Sequence, residues 1–296
     1  WIMGVIRIVP NTQFGAIAVL VLLVVISGVV ACRTRESIKR FFKAKWQVVI
    51  ATEVVFAVAF GVWAYIRSLT PAIAHTEQPM DFALLNAIIQ SPNFPPQDPW
   101  LAGESISYYY FGYLMSAAVT QVTGFASSVT YNLALVFFAA MSASAIFSVV
   151  FNIVSGLRKS ISLTVPIATG VVGVVLLLFM GNLVGLLEFF HTNEIGSAGF
   201  WGAISINGLD GLSHNNSWHP NEFWWWFRDT RVINSAVGGG PFPGSGVDFT
   251  ITEFPFFSFL LGDLHPHVMA IPFVILAIGL SYNALRTSSP LDIGWI

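Results

Sequence analysis

Two short stretches of this chain carry ionisable side chains at spacings that can do chemistry. The first is Glu77-Gln-Pro-Met-Asp81, which precedes an apolar segment, Phe82 to Gln90, ending at Ser91-Pro92. A helix is expected over that segment, and Asp81 can serve simply as its N-cap. The same carboxylate can act as a general base that deprotonates an acceptor hydroxyl. Glu77 can share that task or shift the pKa of Asp81. The second stretch runs from Glu253-Phe-Pro-Phe-Phe to Gly262-Asp263-Leu-His265-Pro-His267. Pro266 disfavours a helical conformation at His265, and on an extended chain residues 263, 265 and 267 project to one side. An aspartate and two histidines on one face can hold a divalent cation such as Mg or Mn. They can also combine an acid with phosphate-binding imidazoles, or form a hydrogen-bonded polar cluster at the start of a helix.

A third stretch, Trp226-Phe-Arg228-Asp-Thr-Arg231, offers two guanidinium groups suited to bidentate phosphate contacts. A lipid phosphate is the obvious ligand. The plainer reading is an interfacial helix anchored by Trp218, Trp224, Trp225 and Trp226, tryptophans that can equally stack on sugar faces. Asp98, inside Phe94-Pro-Pro-Gln-Asp-Pro-Trp100, reads as a turn acceptor. There is no phosphate-cradling Gly-x-x-x-x-Gly-Lys-Ser/Thr, no dinucleotide glycine fingerprint and no His-Glu-x-x-His. The lone Cys32 excludes an intramolecular disulfide and a multi-cysteine metal site.

The elements that position these residues are membrane helices. Of 296 residues 55% are hydrophobic and only 9% charged, with mean hydropathy +0.72. Soluble domains carry about 25% charged residues, so an ordinary water-soluble enzyme is excluded. A net charge of −2 gives no global basic field for nucleic acid. A spanning helix needs roughly 20 mainly apolar residues, and spans are expected at about 14–32, 48–66, 129–155, 163–187 and 268–285. Between the first two lie Arg33, Arg35, Lys39, Arg40, Lys43 and Lys45, nearly half of the 13 Lys and Arg. The positive-inside rule makes the 33–47 loop cytoplasmic. The first span is no signal peptide, because its basic cluster follows it.

The loop 67–107 then lies outside. If the tyrosine-rich block 108–123 is interfacial or re-entrant, the long loop 188–266 shares that outer face, and Arg158 and Lys159 turn inward as the charge rule prefers. The expectation is an all-α polytopic transmembrane bundle in the cell membrane, a single membrane domain with two large outer loops carrying interfacial helices. It opens on Trp1 and stops at Ile296, and so reads as a fragment of a longer protein.

Several phrases taken together are more specific than any one motif. Glu77-Gln-Pro-Met-Asp81, Phe94 to Trp100, Tyr108-Tyr-Tyr-Phe-Gly-Tyr113, and Glu253-Phe-Pro-Phe-Phe-Ser-Phe through Asp263-Leu-His-Pro-His267 resemble the prokaryotic "YYY" membrane-protein family, over about residues 48–286. That family in turn looks like the GT-C glycosyltransferases, which take a sugar from a polyprenyl-phosphate carrier and use an acidic residue of an outer loop as base. The resemblance implies a catalytic role for Asp81 with Glu77. Beside it, the residues themselves give Arg228, Arg231, Glu253, Tyr109 and Trp225 as candidate substrate or phosphate contacts, and Asp263, His265 and His267 as candidate ligands of a divalent cation. Two departures stand out: the acidic loop follows the second span rather than the first, and the Asp-Leu-His-Pro-His motif has no assigned counterpart. Two other classes compete. A transporter or flippase for a lipid-linked or polar substrate is favoured by the intramembrane Glu53. A non-catalytic scaffold would dock a partner on the Trp-rich loop.

Overall fold

The structure is a computed structural model that describes residues 1–157, 161–181, 183–204 and 252–286, together with 206, 209, 217–221, 225 and 230. In chain order the helices are α1 (Ile2–Val5), α2 (Gln13–Arg33), α3 (Arg35–Leu69), α4 (Gln78–Gln90), α5 (Phe111–Thr123), α6 (Ser127–Leu157), α7 (Thr164–Val175), a π-helical turn (Leu176–Met180), α8 (Val184–Thr192), α9 (Ala198–Ile204), α10 (Pro255–Leu261) and α11 (Pro266–Arg286). Among the described residues the only β pairing is an isolated antiparallel bridge between Gln97 and Ser105. The chain divides into two compact units, Trp1–Val174 with Gly262–Ile296, and Val175–Leu261.

In the first unit α2, α3, α6 and α11 are long and apolar enough to cross a membrane. The chain is an all-α membrane protein, and among the described residues there are four such helices, or five if the broken pair starting at Thr164 counts as one span. Helix α2 is apolar on every side and buries only Gly15, the pattern of a lipid-facing helix. Thr12 caps its start, accepting from the Gly15 amide at 3.2 Å. Helix α3 has 35 residues, about 52 Å at 1.5 Å per residue against a hydrocarbon core of about 30 Å. The basic stretch expected as a loop is therefore helical. It forms the first turns of α3, separated from α2 only at Thr34. The tyrosine-rich block yields α5 with 13 residues, about 20 Å and too short to span. Gly124 ends it in the left-handed conformation. The continuous span expected over 163–187 is instead interrupted by the π turn and by Gly181, at φ +50°.

Contacts at the helix ends fix the order of the bundle. The last turn of α3 meets the first turn of α6 through Arg67 and Asn132. The first turn of α6 also meets the residues leading into α11, through Tyr131 and Leu264. At the other end Arg286 of α11 donates to the Gly156 carbonyl of α6. The bundle thus has one end built from α4, α5, the close of α3 and the starts of α6 and α11. Its opposite end carries the α2–α3 turn and the closes of α6 and α11. Leu85 and Ile88 of α4, Tyr113 and Ala117 of α5, Tyr131 of α6 and Val268 of α11 are fully buried at the first end. Helix α7 approaches α6 closely where Gly170 lies against Phe147.

The second unit has its own small core of Val184, Trp201, Ile206 and Leu209. His191 meets the Trp201 ring edge-on at 4.9 Å, and the π turn packs on α10 through Phe179 and Phe256.

Candidate functional site

The first end of the bundle gathers the ionisable residues of two stretches that are nearly 190 positions apart. Asp81 lies in the first turn of α4 and is completely buried. It is not the N-cap: Glu77 occupies that position, and Asp81 turns inward. One of its oxygens accepts a 2.5 Å hydrogen bond from the Tyr113 hydroxyl of α5. The other, Oδ2, accepts no hydrogen bond among the described residues and lies 4.0 Å from His265 Nε2. Buried carboxylate oxygens without a donor are unusual, so Oδ2 faces the one place where a proton or a ligand would satisfy it.

His265 closes the arrangement. It sits at the N-cap of α11, immediately before Pro266 at the first helical position, and its carbonyl accepts from Met269 N at 3.1 Å. Its Nε2 stands 3.1 Å from Glu77 Oε2, 3.6 Å from Asp263 Oδ2 and 4.0 Å from Asp81 Oδ2. Three carboxylates therefore converge on one imidazole nitrogen. Asp81 and Asp263 are buried, His265 nearly so, and Glu77 is 59% exposed. Glu77 thus forms the mouth and Asp81 the floor.

The turn Gly262-Asp263-Leu264 is held from three directions. Tyr131 of α6 accepts from the Leu264 amide at 3.2 Å and donates to the Gly262 carbonyl at 3.3 Å. Thr76 donates to the Asp263 carboxylate, 2.6 and 2.8 Å from its two oxygens. The backbone of Thr76 has φ +49°, a conformation that costs energy in a non-glycine residue. Gly262 itself has φ +85°, and a Cβ there would meet the Arg67 guanidinium. Arg67 is buried and donates to Asn132 Oδ1 at 2.5 Å and to the Ala72 carbonyl at 3.2 Å. The last turn of the long helix α3 thus braces the loop that brings Thr76 and Glu77 into place.

Burial sets the electrostatics. It pushes the Asp81 carboxyl up to about 6, with Asp263 and Glu77 adding to the rise, while the Tyr113 hydrogen bond and His265 oppose it. Burial also raises Asp263, against the Thr76 hydrogen bond and His265. The Tyr113 phenol is pushed well above its usual range by burial and by Asp81. Tyr113 is therefore a permanent hydrogen-bond donor, and Asp81 is a carboxylate that exchanges its proton near neutral pH. As donors to a metal, Asp263 Oδ2 and His265 Nε2 are spaced to share a coordination sphere with bonds of about 2.1 Å. The His267 ring is 5.4 Å from that of His265, centre to centre, and is exposed.

Asp81, Glu77, Asp263 and His265 come together, with His267 beside them. Tyr109 is 75% exposed and packs on Tyr108. Glu253 and Trp225 belong to the second unit, where Glu253 accepts from Ser258 Oγ at 3.0 Å and Trp225 meets Phe189 edge-on at 5.7 Å. Arg228 and Arg231 lie outside the described residues. Asp98 is a turn acceptor for the Trp100 and Leu101 amides. Tyr113, Tyr131, Thr76 and Arg67 were not picked out by type or spacing. The one available signal was the place of Tyr113 at the end of the tyrosine-rich phrase.

The profile of a family described as "Uncharacterized membrane protein (DUF2298)" matches residues 1–293. No curated protein and no solved structure matches the chain.

Proposed function

The chain belongs to this uncharacterized membrane-protein family, DUF2298, and on that premise we propose that it is a membrane-embedded glycosyltransferase drawing on a polyprenyl-phosphate-linked sugar. The observation that carries the reading is the buried Asp81 carboxylate. It is poised near neutral pH, fixed on one oxygen by Tyr113 and directed by the other towards His265. Such a pair suits removal of a proton from a weak nucleophile such as a sugar or protein hydroxyl. The acceptor enters past the exposed Glu77. Its oxygen attacks the anomeric carbon, the bond from that carbon to the phosphate oxygen breaks, and the polyprenyl phosphate leaves with the electron pair. The acceptor proton passes to Asp81 Oδ2, the oxygen that Tyr113 leaves open. One displacement inverts the anomeric centre. Asp263, His265 and His267 are the residues that would hold a Mg or Mn ion, which would supply positive charge to the leaving phosphate.

Sidedness supports the same reading. The Lys and Arg of the α2–α3 turn and Arg286 lie at the end opposite the carboxylate cluster. By the positive-inside rule that end is cytoplasmic and the site faces outward, where a carrier lipid presents its sugar.

The test is transfer from radiolabelled polyprenyl-phosphate hexoses in proteoliposomes, with membrane extract as acceptor. Asp81→Asn is expected to lower the rate by about 10²-fold or more while the protein still folds. Unchanged transfer by this variant would sink the proposal.

A further inference from the structure

A second site lies at the basic end of the bundle, far from the carboxylate cluster. A cleft of about 800 Å³ opens between α3, α6 and α11, within the range of about 300–1,000 Å³ typical of small-molecule sites. It extends along α6 from Ser144 to Gly156, about 18 Å, the depth of one leaflet. Its chemistry changes along that length. At the inner mouth stand Lys45 and Arg286. Arg286 is held in place: it donates to the Gly156 carbonyl at 3.0 Å and to the Tyr282 hydroxyl at 2.8 Å, with its guanidinium over the Tyr282 ring. Any side chain at position 156 would collide with it. Lys45 makes no ion pair or hydrogen bond among the described residues.

Glu53 lies two turns further along α3, about 12 Å deeper. It lines the same cleft, and no cation lies within ion-pairing distance of it among the described residues. The Ser144 hydroxyl, also in the wall, is buried without a hydrogen-bond partner among them. Carboxylates at membrane depth are costly and mark functional sites. A phosphate alone would satisfy the two cations and leave Glu53 and Ser144 unanswered, and an acyl chain would satisfy neither. What answers all four is a phosphate joined to a group bearing several hydroxyls.

We propose that this cleft binds the phosphorylated polyol headgroup of a lipid, entered from the leaflet at the α2–α3 turn. The phosphate sits between Lys45 and Arg286, and the hydroxyls reach towards Glu53 and Ser144. A lipid rather than a water-borne sugar phosphate is favoured because the cleft runs along spanning helices whose adjoining faces, at Val54 and Ile278, are exposed and apolar. This inference does not depend on the transfer chemistry assigned to the opposite end.

The experiment is lipid retention by the full chain, read by native mass spectrometry after purification from nanodiscs. The discs hold phosphatidylinositol, phosphatidylglycerol or phosphatidylcholine, and myo-inositol 1-phosphate serves as a soluble competitor. Phosphatidylinositol is expected to be retained at least tenfold better than phosphatidylglycerol, and phosphatidylcholine not at all. Lys45→Gln should lower retention of both anionic lipids. Glu53→Gln should abolish the preference between them and leave phosphatidylglycerol unchanged. Melting curves in detergent confirm that each variant folds, and Arg286→Lys keeps the charge if Arg286→Gln does not fold. Equal retention of the two anionic lipids, or retention of phosphatidylcholine, overturns the proposal. Complete displacement by the soluble phosphate overturns the lipid as source. Asp81→Asn should retain lipid normally, so failure here leaves the carboxylate site standing, and failure of transfer leaves this one.

Discussion

At the scale of the residue, the decisive contrast is between Asp81 and Glu77, two carboxylates one helical turn apart in very different surroundings. Glu77 reaches solvent, whereas Asp81 has lost its water and holds a single strong donor. The cost of ionising Asp81 in the fold has a measurable signature. Its carboxyl titrates at about 6 when folded and at 3.8 when not. Between these values the folded protein binds more protons than the unfolded chain, so this group makes stability fall as pH rises from about 4 to about 6 and leaves it level above. The total is on the order of 3 kcal/mol. Asp263, raised in the same direction, adds to the slope. Thermal melting in detergent at pH 4, 5, 6 and 7 should therefore show wild type losing stability across that window, and Asp81→Asn losing distinctly less. Parallel curves for the two proteins would mean that Asp81 is not ionising in the buried pocket. The sequence exposed Asp81 and Glu77 as a chemically able pair, and the Asp-Leu-His motif as another. Nothing in either stretch says that they meet. That depends on Tyr131 and Thr76, whose types are common and whose partners are far away along the chain.

At the scale of the element, the site is held by ends of helices rather than by their middles. Gly262 is the position where this matters most, since its φ of +85° and the neighbouring Arg67 guanidinium both exclude a side chain. Gly262→Ala is expected to destabilise the protein by more than about 1 kcal/mol, seen as a lower midpoint in thermal melting. It should also disturb transfer more than a comparable substitution on the lipid-facing α2. A wild-type midpoint would show that the turn relaxes freely. Hydropathy made the long spans legible because lipid demands continuous apolar helix, and α2, α6 and α11 fall where the apolar runs fall. It could not distinguish a straight span from the interrupted stretch of α7, π turn and α8. The residues 163–187 carry no charge, and the break falls where Gly181 takes a positive φ, which mean hydropathy does not register. The helical character of the basic stretch was hidden for a related reason. Charged residues signal departure from the membrane, and the helix continues through that boundary regardless.

At the scale of the whole molecule, charge sorts between the two ends of the first unit. Seven of the described Lys and Arg (Arg33, Arg35, Lys39, Arg40, Lys43, Lys45 and Arg286) belong to one end, and the acidic cluster to the other. In a Cys32→Ser background, single cysteines at Gln97 and at Lys39 should respond oppositely to a membrane-impermeant maleimide on intact cells. Gln97→Cys is expected to label and Lys39→Cys to stay protected until the cells are opened. The reverse pattern would place the carboxylates in the cytoplasm and remove the outward-facing donor from the mechanism. One feature joins both ends. Helix α3 runs unbroken for 35 residues from Arg35 to Leu69, with Lys45 and Glu53 in the inner cleft and Arg67 under the carboxylate turn. A rod of this kind cannot tilt at one end alone. If headgroup binding at Lys45 shifts the rod, it changes the affinity of whatever enters past Glu77. Thermodynamic reciprocity then requires that an occupant at Glu77 alter the hold on the headgroup by the same factor.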